Sequence, residues 1–176
     1  LYVSEGPEQT SRVLVDPNSF SWDATISLSQ FIPSPDASKL AYSVSDGGTD
    51  WDIWRVRDVN TGEDLKDELR NTKFTSVSWN RDNQGFYYSR YDAPEEGKDL
   101  DATNYNQKLY YHQLGTEQSE DVLVYERPDQ PRWGFYADTS EDGRYLLIYV
   151  WDGTDPKNRL YMRDLSAKEG TITPCL

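Results

Sequence analysis

The sequence has 176 residues, with 31 acidic and 18 basic side chains, a formal net charge of −13 and an aromatic content of 14%. That length suffices for one domain with a substantial core, and the negative charge argues against partners such as nucleic acid or an anionic membrane surface. No apolar run approaches transmembrane length, and the single cysteine, Cys175, excludes an intrachain disulfide.

Residues 1–3 and 12–15 read as two short strands joined by a Gly6-Pro7 turn, and Asp16-Pro17-Asn18 breaks the pattern after them. The N-terminus has no basic region followed by an apolar core and no initiator Met, so no signal peptide is read and a fragment or processed product is expected. Four strands follow at 26–32, 39–45, 51–59 and 65–69, punctuated by Ser34-Pro35-Asp36, Asp46-Gly47-Gly48 and Thr61-Gly62. The pattern restarts with strands at 74–79, 85–91, 108–114 and 121–125, and Arg81-Asp82-Asn83 turns between the first two. A third round opens at 133–137, turns at Glu141-Asp142-Gly143, and continues through 145–151 and 159–165. The seven apolar or aromatic residues of 145–151, bounded by Asp-Gly signals, suit a strand covered on both faces.

Asp36, Asp82 and Asp142 occupy equivalent turns at a spacing of roughly 45 to 60 residues, with four strands to a repeat. The longer interval contains a polar insert at 92–107, read as a loop at one blade edge. The pattern predicts an all-β chain, a partial β-propeller of about three and a half four-stranded antiparallel blades. An open β-sandwich is the competing architecture, but its strands would alternate more cleanly between apolar and polar residues.

Catalytic chemistry is sparse. The one histidine, His112, follows Leu109-Tyr110-Tyr111 on a strand and reads as a packed or surface residue rather than a general base. No serine lies between glycines four residues apart, so a nucleophile elbow and a Ser-His-Asp triad are not expected. The turns Asp46–Asp50 and Asp152–Asp155 superficially suggest calcium loops, yet Asx-turn hydrogen bonding explains them, and neither metal nor cofactor is expected. The Ser140 to Gly143 turn has the look of the aspartate box of glycan-active propellers, over four residues only.

Several segments carry a more specific resemblance. Gly48-Thr49-Asp50-Trp51, Lys73-Phe74-Thr75-Ser76-Val77-Ser78-Trp79, Gly85-Phe86-Tyr87-Tyr88-Ser89-Arg90-Tyr91, residues 108–126, residues 127–133 and Gly153-Thr154-Asp155-Pro156-Lys157-Asn158-Arg159-Leu160 resemble, in order, the propeller domain of prolyl oligopeptidases. The resemblance covers residues 1–165 and leaves 166–176 as an unmatched tail. It implies the first half of a seven-bladed, unclosed propeller that caps an α/β-hydrolase domain in a cytosolic serine peptidase cleaving short peptides after proline. The hydrolase domain lies outside this sequence. The implied partners are that domain of the same parent chain and short proline-containing peptides, and the implied localisation is cytoplasmic.

By the same resemblance, Phe74 lines an apolar pocket for the substrate residue two before the proline, and Asp50 faces an arginine of the hydrolase domain. Gly134 and Thr154 stand where the family carries apolar or sulfur-containing pocket residues, which implies a smaller, more polar wall. The implied function is a gate and substrate filter, inactive alone. The related oligopeptidases that cut after basic residues share the architecture, and a free-standing propeller that binds peptide or protein at its channel mouth is the non-enzymatic alternative. Two uncovered, aromatic-rich blade faces lead us to expect poor stability of the isolated chain.

Overall fold

The computed structural model describes residues 1–23, 25–47, 49–93, 104–167 and 170–175. Most of the predicted insert, residues 94–103, and Gly48 of one predicted turn lie outside the described residues. The described chain forms a two-stranded ribbon, β1 (Tyr2–Val3) and β2 (Arg12–Val13), followed by three four-stranded antiparallel meanders. The first comprises β3 (Ile26–Pro33), β4 (Lys39–Asp46), β5 (Asp52–Asp58) and β6 (Asp64–Thr72). The second comprises β7 (Ser78–Trp79), β8 (Gly85–Arg90), β9 (Lys108–Gln113) and β10 (Val122–Tyr125). The third comprises β11 (Trp133–Thr139), β12 (Tyr145–Asp152), β13 (Arg159–Asp164) and β14 (Thr173–Pro174). These are three complete blades and half of another, in the order the repeat predicted.

The period of two along a strand divides its side chains between two interfaces. On β4, Leu40, Tyr42 and Val44 pack with Leu14 and Val15 against the ribbon, whereas Ala41 faces the second blade together with Trp54, Val56 and Leu69. On β8, Phe86 and Tyr88 turn back to that first interface with Trp79, while Tyr87 joins Leu109, Phe135, Leu146 and Ile148 in the next. Large aromatics fill both layers, and each fully buried one contributes on the order of 2–3 kcal/mol. Polar cross-links fix the register between blades: the Trp79 indole N–H donates to the Ile32 carbonyl at 3.0 Å, and the Gln30 side-chain amide to the Thr75 carbonyl at 2.8 Å. On the far side of the third blade, Tyr136 and Tyr149 stack at 4.7 Å, and Tyr136 remains exposed.

Two of the three repeated turns, those at Asp36 and Asp142, share one hydrogen-bond scheme. Ser34 Oγ donates to Asp36 Oδ1 at 2.7 Å while accepting from Lys39 N, and Ser140 Oγ donates to Asp142 Oδ1 at 2.6 Å while accepting from Tyr145 N. This scheme accounts for the aspartate-box likeness as turn architecture. Neighbouring turns also touch: Asp36 N donates to Asn83 Oδ1, and a Cβ on Gly143, which sits at φ +73°, would lie 2.7 Å from Arg81 Cβ.

Two differences from the sequence reading stand out. The strand predicted from residue 74 shortens to Ser78–Trp79, because Phe74 adopts φ +52° and cannot continue a strand. The tail beyond Leu165 also contains structure: Thr173–Pro174 pairs with Tyr161 and Met162 and supplies the fourth strand of the third blade. A short edge strand ending in proline accounts for its weak sequence signal.

His112 is fully buried between the first two blades. Its Nδ1 lies 2.7 Å from Asp121 Oδ1 and its Nε2 lies 3.0 Å from Asp67 Oδ1 on β6. Asp67 also accepts from Gly115 N at 2.6 Å, and Asp121 accepts from the Tyr88 hydroxyl at 2.5 Å. Burial alone would push the imidazole down, but the hydrogen bonds and charges of the two carboxylates outweigh it and raise His112 to about 9. The hydrogen bonds of His112 and Gly115 hold Asp67 below the usual carboxylate range against the opposing effect of burial. The residue read as a packed or surface histidine is therefore an imidazolium staple between blades.

A histidine raised in the folded state stabilises it fully below the unfolded value near 6.5, and that stability is lost as pH rises through about 9. The depressed Asp67 works in the opposite sense, stabilising above roughly pH 4 and failing below it. Urea midpoints are thus expected to fall between pH 6.5 and 9. His112→Gln, which leaves two buried carboxylates without a cation, should cost about 3–5 kcal/mol at pH 6 and flatten that slope. Equal slopes in the two proteins would contradict the staple.

Candidate functional site

Antiparallel alternation sends successive connections to opposite ends of the blades. One end collects the Asp36, Asp82 and Asp142 turns. The other collects the β4–β5 turn with Asp50 and Trp51, the β6–β7 connection with Lys73 and Phe74, the β8–β9 insert with Tyr105, and the β12–β13 turn with Gly153 and Thr154. This second end holds the candidate site.

Phe74 is its centre. Its φ of +52° places a bulky aromatic in the left-handed region, at a cost on the order of 1–3 kcal/mol, and the side chain is nonetheless 49% exposed. The strained backbone thus presents a large apolar group partly to solvent. The ring meets the Trp151 indole edge-on, with centroids 6.3 Å apart at 86°, and Lys73 Nζ lies 5.0 Å from its centroid.

Lys73 ties this ring to the first blade. Its ammonium pairs with Asp50 Oδ2 at 3.2 Å and lies 5.3 Å from the centre of the Trp51 ring, which in turn meets Tyr91 edge-on at 5.9 Å. Burial pushes the Tyr91 phenol up to about 12, so it packs as a neutral group. Asp50 itself is exposed and lies on the Lys73 side of this cluster.

The strained connection is fastened from below by Gln107. This fully buried side chain donates from Nε2 to the Lys73 carbonyl at 3.0 Å and accepts from Phe135 N at Oε1 at 2.6 Å. It therefore joins the β6–β7 connection to the third blade. Both of its bonds are to backbone, which explains why no motif announces it.

Phe74 borders a mostly apolar cavity of about 490 Å³ shared with Tyr105, Trp151, Gly153, Thr154 and Arg132. Of the sequence-predicted residues, Phe74 and Thr154 meet here, with the exposed Thr154 at the rim. Gly134 does not line the cavity. It is buried on β11 directly opposite Trp151 on β12, and a Cβ at 134 would lie 2.0 Å from the indole Cε2 and Cζ2 atoms. The smaller wall expected from this glycine is consequently absent, because Trp151 folds over it. A glycine within an apolar strand run signals such a close approach, and that signal was available in the sequence.

His112 lies away from this cavity, in the first interblade interface. Both ring nitrogens face carboxylates, which leaves neither to receive a proton from a nucleophile. The Asp46 and Asp152 turns bond to themselves: Thr49 N and Oγ1 donate to the Asp46 carbonyl, and Asp155 N to the Asp152 carbonyl. Among the described residues no group of three His, Cys, Asp or Glu side chains is placed to hold a metal ion, and no helix is long and apolar enough to cross a membrane.

The chain is similar to known proteins in both sequence and fold. The family model for the prolyl oligopeptidase N-terminal beta-propeller domain matches residues 2–176, a span that includes the tail carrying β14. The chain is 38% identical to a prolyl endopeptidase of Elizabethkingia meningoseptica over 98% of its own length and 24% of that protein. Among solved structures it superposes with a TM-score of 0.85 on a prolyl endopeptidase studied for inter-domain dynamics, at 35% identity, covering 98% of this chain and 24% of the other. A TM-score of 0.85 at 32% identity relates it to prolyl oligopeptidase B from Galerina marginata bound to a 35mer hydrolysis and macrocyclization substrate, covering 99% of this chain and 27% of the other. The sequence thus spans about a quarter of the length of the relatives it matches.

Replacing Gln107 by Leu strands a part-buried carbonyl at Lys73 and a buried amide at Phe135 while keeping the volume. Urea unfolding should register a loss of about 2–4 kcal/mol. A loss below about 0.5 kcal/mol would show that the fastening contributes nothing.

Proposed function

The chain belongs to the prolyl oligopeptidase N-terminal β-propeller family, and on that premise we propose that it is the substrate-admitting segment of a serine endopeptidase that cleaves short peptides after proline. The observation that carries this reading is Phe74, a strained and half-exposed aromatic held against Trp151 at the edge of an apolar cavity. In this reading the cavity receives the substrate residue two before the proline. Phe74 supplies its apolar face and Thr154 its rim, and Gly134 contributes indirectly by seating Trp151.

Binding and filtering fall to this segment, and chemistry falls to an α/β-hydrolase domain of the same parent chain. The engaged nitrogens of His112 support that division. Asp50, exposed at the site end and oriented by Lys73, is suited to meet a cation of that domain across the interface. The blades exclude folded proteins sterically while a flexible peptide passes. The parent enzyme is cytoplasmic in this reading and needs no metal or cofactor.

The test uses the full-length protein that carries this chain and a proline-containing chromogenic peptide. Phe74→Ala should raise KM roughly 5- to 30-fold through lost aromatic contact, and the isolated chain should show no turnover. Unchanged KM and kcat in the variant, or turnover by the isolated chain, would overturn the proposal.

A further inference from the structure

We infer that Trp151 is the selectivity wall of the cavity, and that it adapts the pocket to an aromatic side chain of a peptide. The inference rests on the reading of this cavity as a peptide pocket and goes beyond it by naming the side chain it takes and the residue that chooses. Three aromatic residues line the cavity: Phe74, Tyr105 and Trp151. Phe74 and Trp151 stand almost perpendicular, at 86°, and Phe74 and Tyr105 are each 49% exposed. A flat ring seated in the corner formed by these two touching walls can lie offset over one and present its edge to the other, the two arrangements that aromatic quadrupoles favour. A branched aliphatic group fills such a corner less completely.

The indole reaches this place because position 134 is empty. Gly134 sits directly opposite Trp151 in the β11–β12 pairing, and any side chain there would occupy the volume of the six-membered indole ring. Glycine at 134 and tryptophan at 151 are thus one unit, in which the strand that lacks a side chain borrows the wall from its neighbour. A purely structural role, an aromatic covering a bare strand glycine, would require no further ring around the indole. Here the same indole also borders the cavity and meets Phe74, so one of its surfaces serves the sheet and another faces the opening.

The test compares two otherwise identical proline-containing peptides, with Phe or Ala at the residue two before the proline, on the full-length protein. Trp151→Leu keeps apolar bulk and removes the ring. The Phe-over-Ala preference in kcat/KM should fall ~3- to 10-fold, with the change carried by KM for the Phe peptide. Gly134→Ala, which displaces the indole from the opposite strand, should reduce the same preference and serves if the first variant folds poorly. A loss shared equally by both peptides, or an unchanged preference in folded variants, overturns the assignment of Trp151. If Phe74→Ala also leaves KM unchanged for both peptides, the pocket reading itself has failed; if Phe74→Ala acts and Trp151→Leu does not, only the selectivity wall has.

Discussion

The burial of the first and second sheets between neighbours on both faces is the constraint on which the molecule depends. A strand in such a sheet cannot keep one polar face, so its side chains must satisfy two interfaces at once. Strand β8 meets this demand with consecutive aromatics, Phe86 and Tyr88 directed toward the first blade and Tyr87 toward the third. Where the arrangement stops, the requirement becomes visible. Tyr136 and Tyr149 stack on the last sheet with no described blade beyond them.

Packing of this kind is not directional, and polar groups fix the register. The Asp67–His112–Asp121 staple joins a strand of the first blade to the second, and Gln107 joins the connection between those two blades to a strand of the third. At the site end these fasteners have a second consequence. With the Lys73 carbonyl bonded to Gln107 and the Lys73 ammonium bonded to Asp50, the adjoining Phe74 is held in a conformation that a free chain would avoid. Rigidity of the scaffold is converted into the exposure of one ring.

Much of this was legible in the sequence, and the parts that were not share a physical cause. Short apolar runs, Asp-centred turns and their repetition give three meanders in order because strand period and turn chemistry are local properties. The partners of His112 are 45 and 9 residues away, so its charge state depends on contacts that only the assembled blades provide. Phe74 lies in a run that reads as strand, and its left-handed backbone follows a residue, Lys73, whose partners Gln107 and Asp50 are distant in sequence. The resemblance drew attention to Gly134, but the chemistry of that position resides in Trp151 across the sheet. In each case the local pattern marked the residue, and tertiary contacts decided its role.

The central claim is that the aromatic corner at Phe74 and Trp151 is where a peptide meets this part of the chain. A crystal structure of the full-length protein with a proline-containing peptide inhibitor would examine it most directly. The account predicts a peptide side chain in van der Waals contact with both rings, Phe74 still in the left-handed region, and Gly134 still covered by the indole. A peptide bound away from these rings, or a Phe74 ring turned into a blade interface, would contradict it.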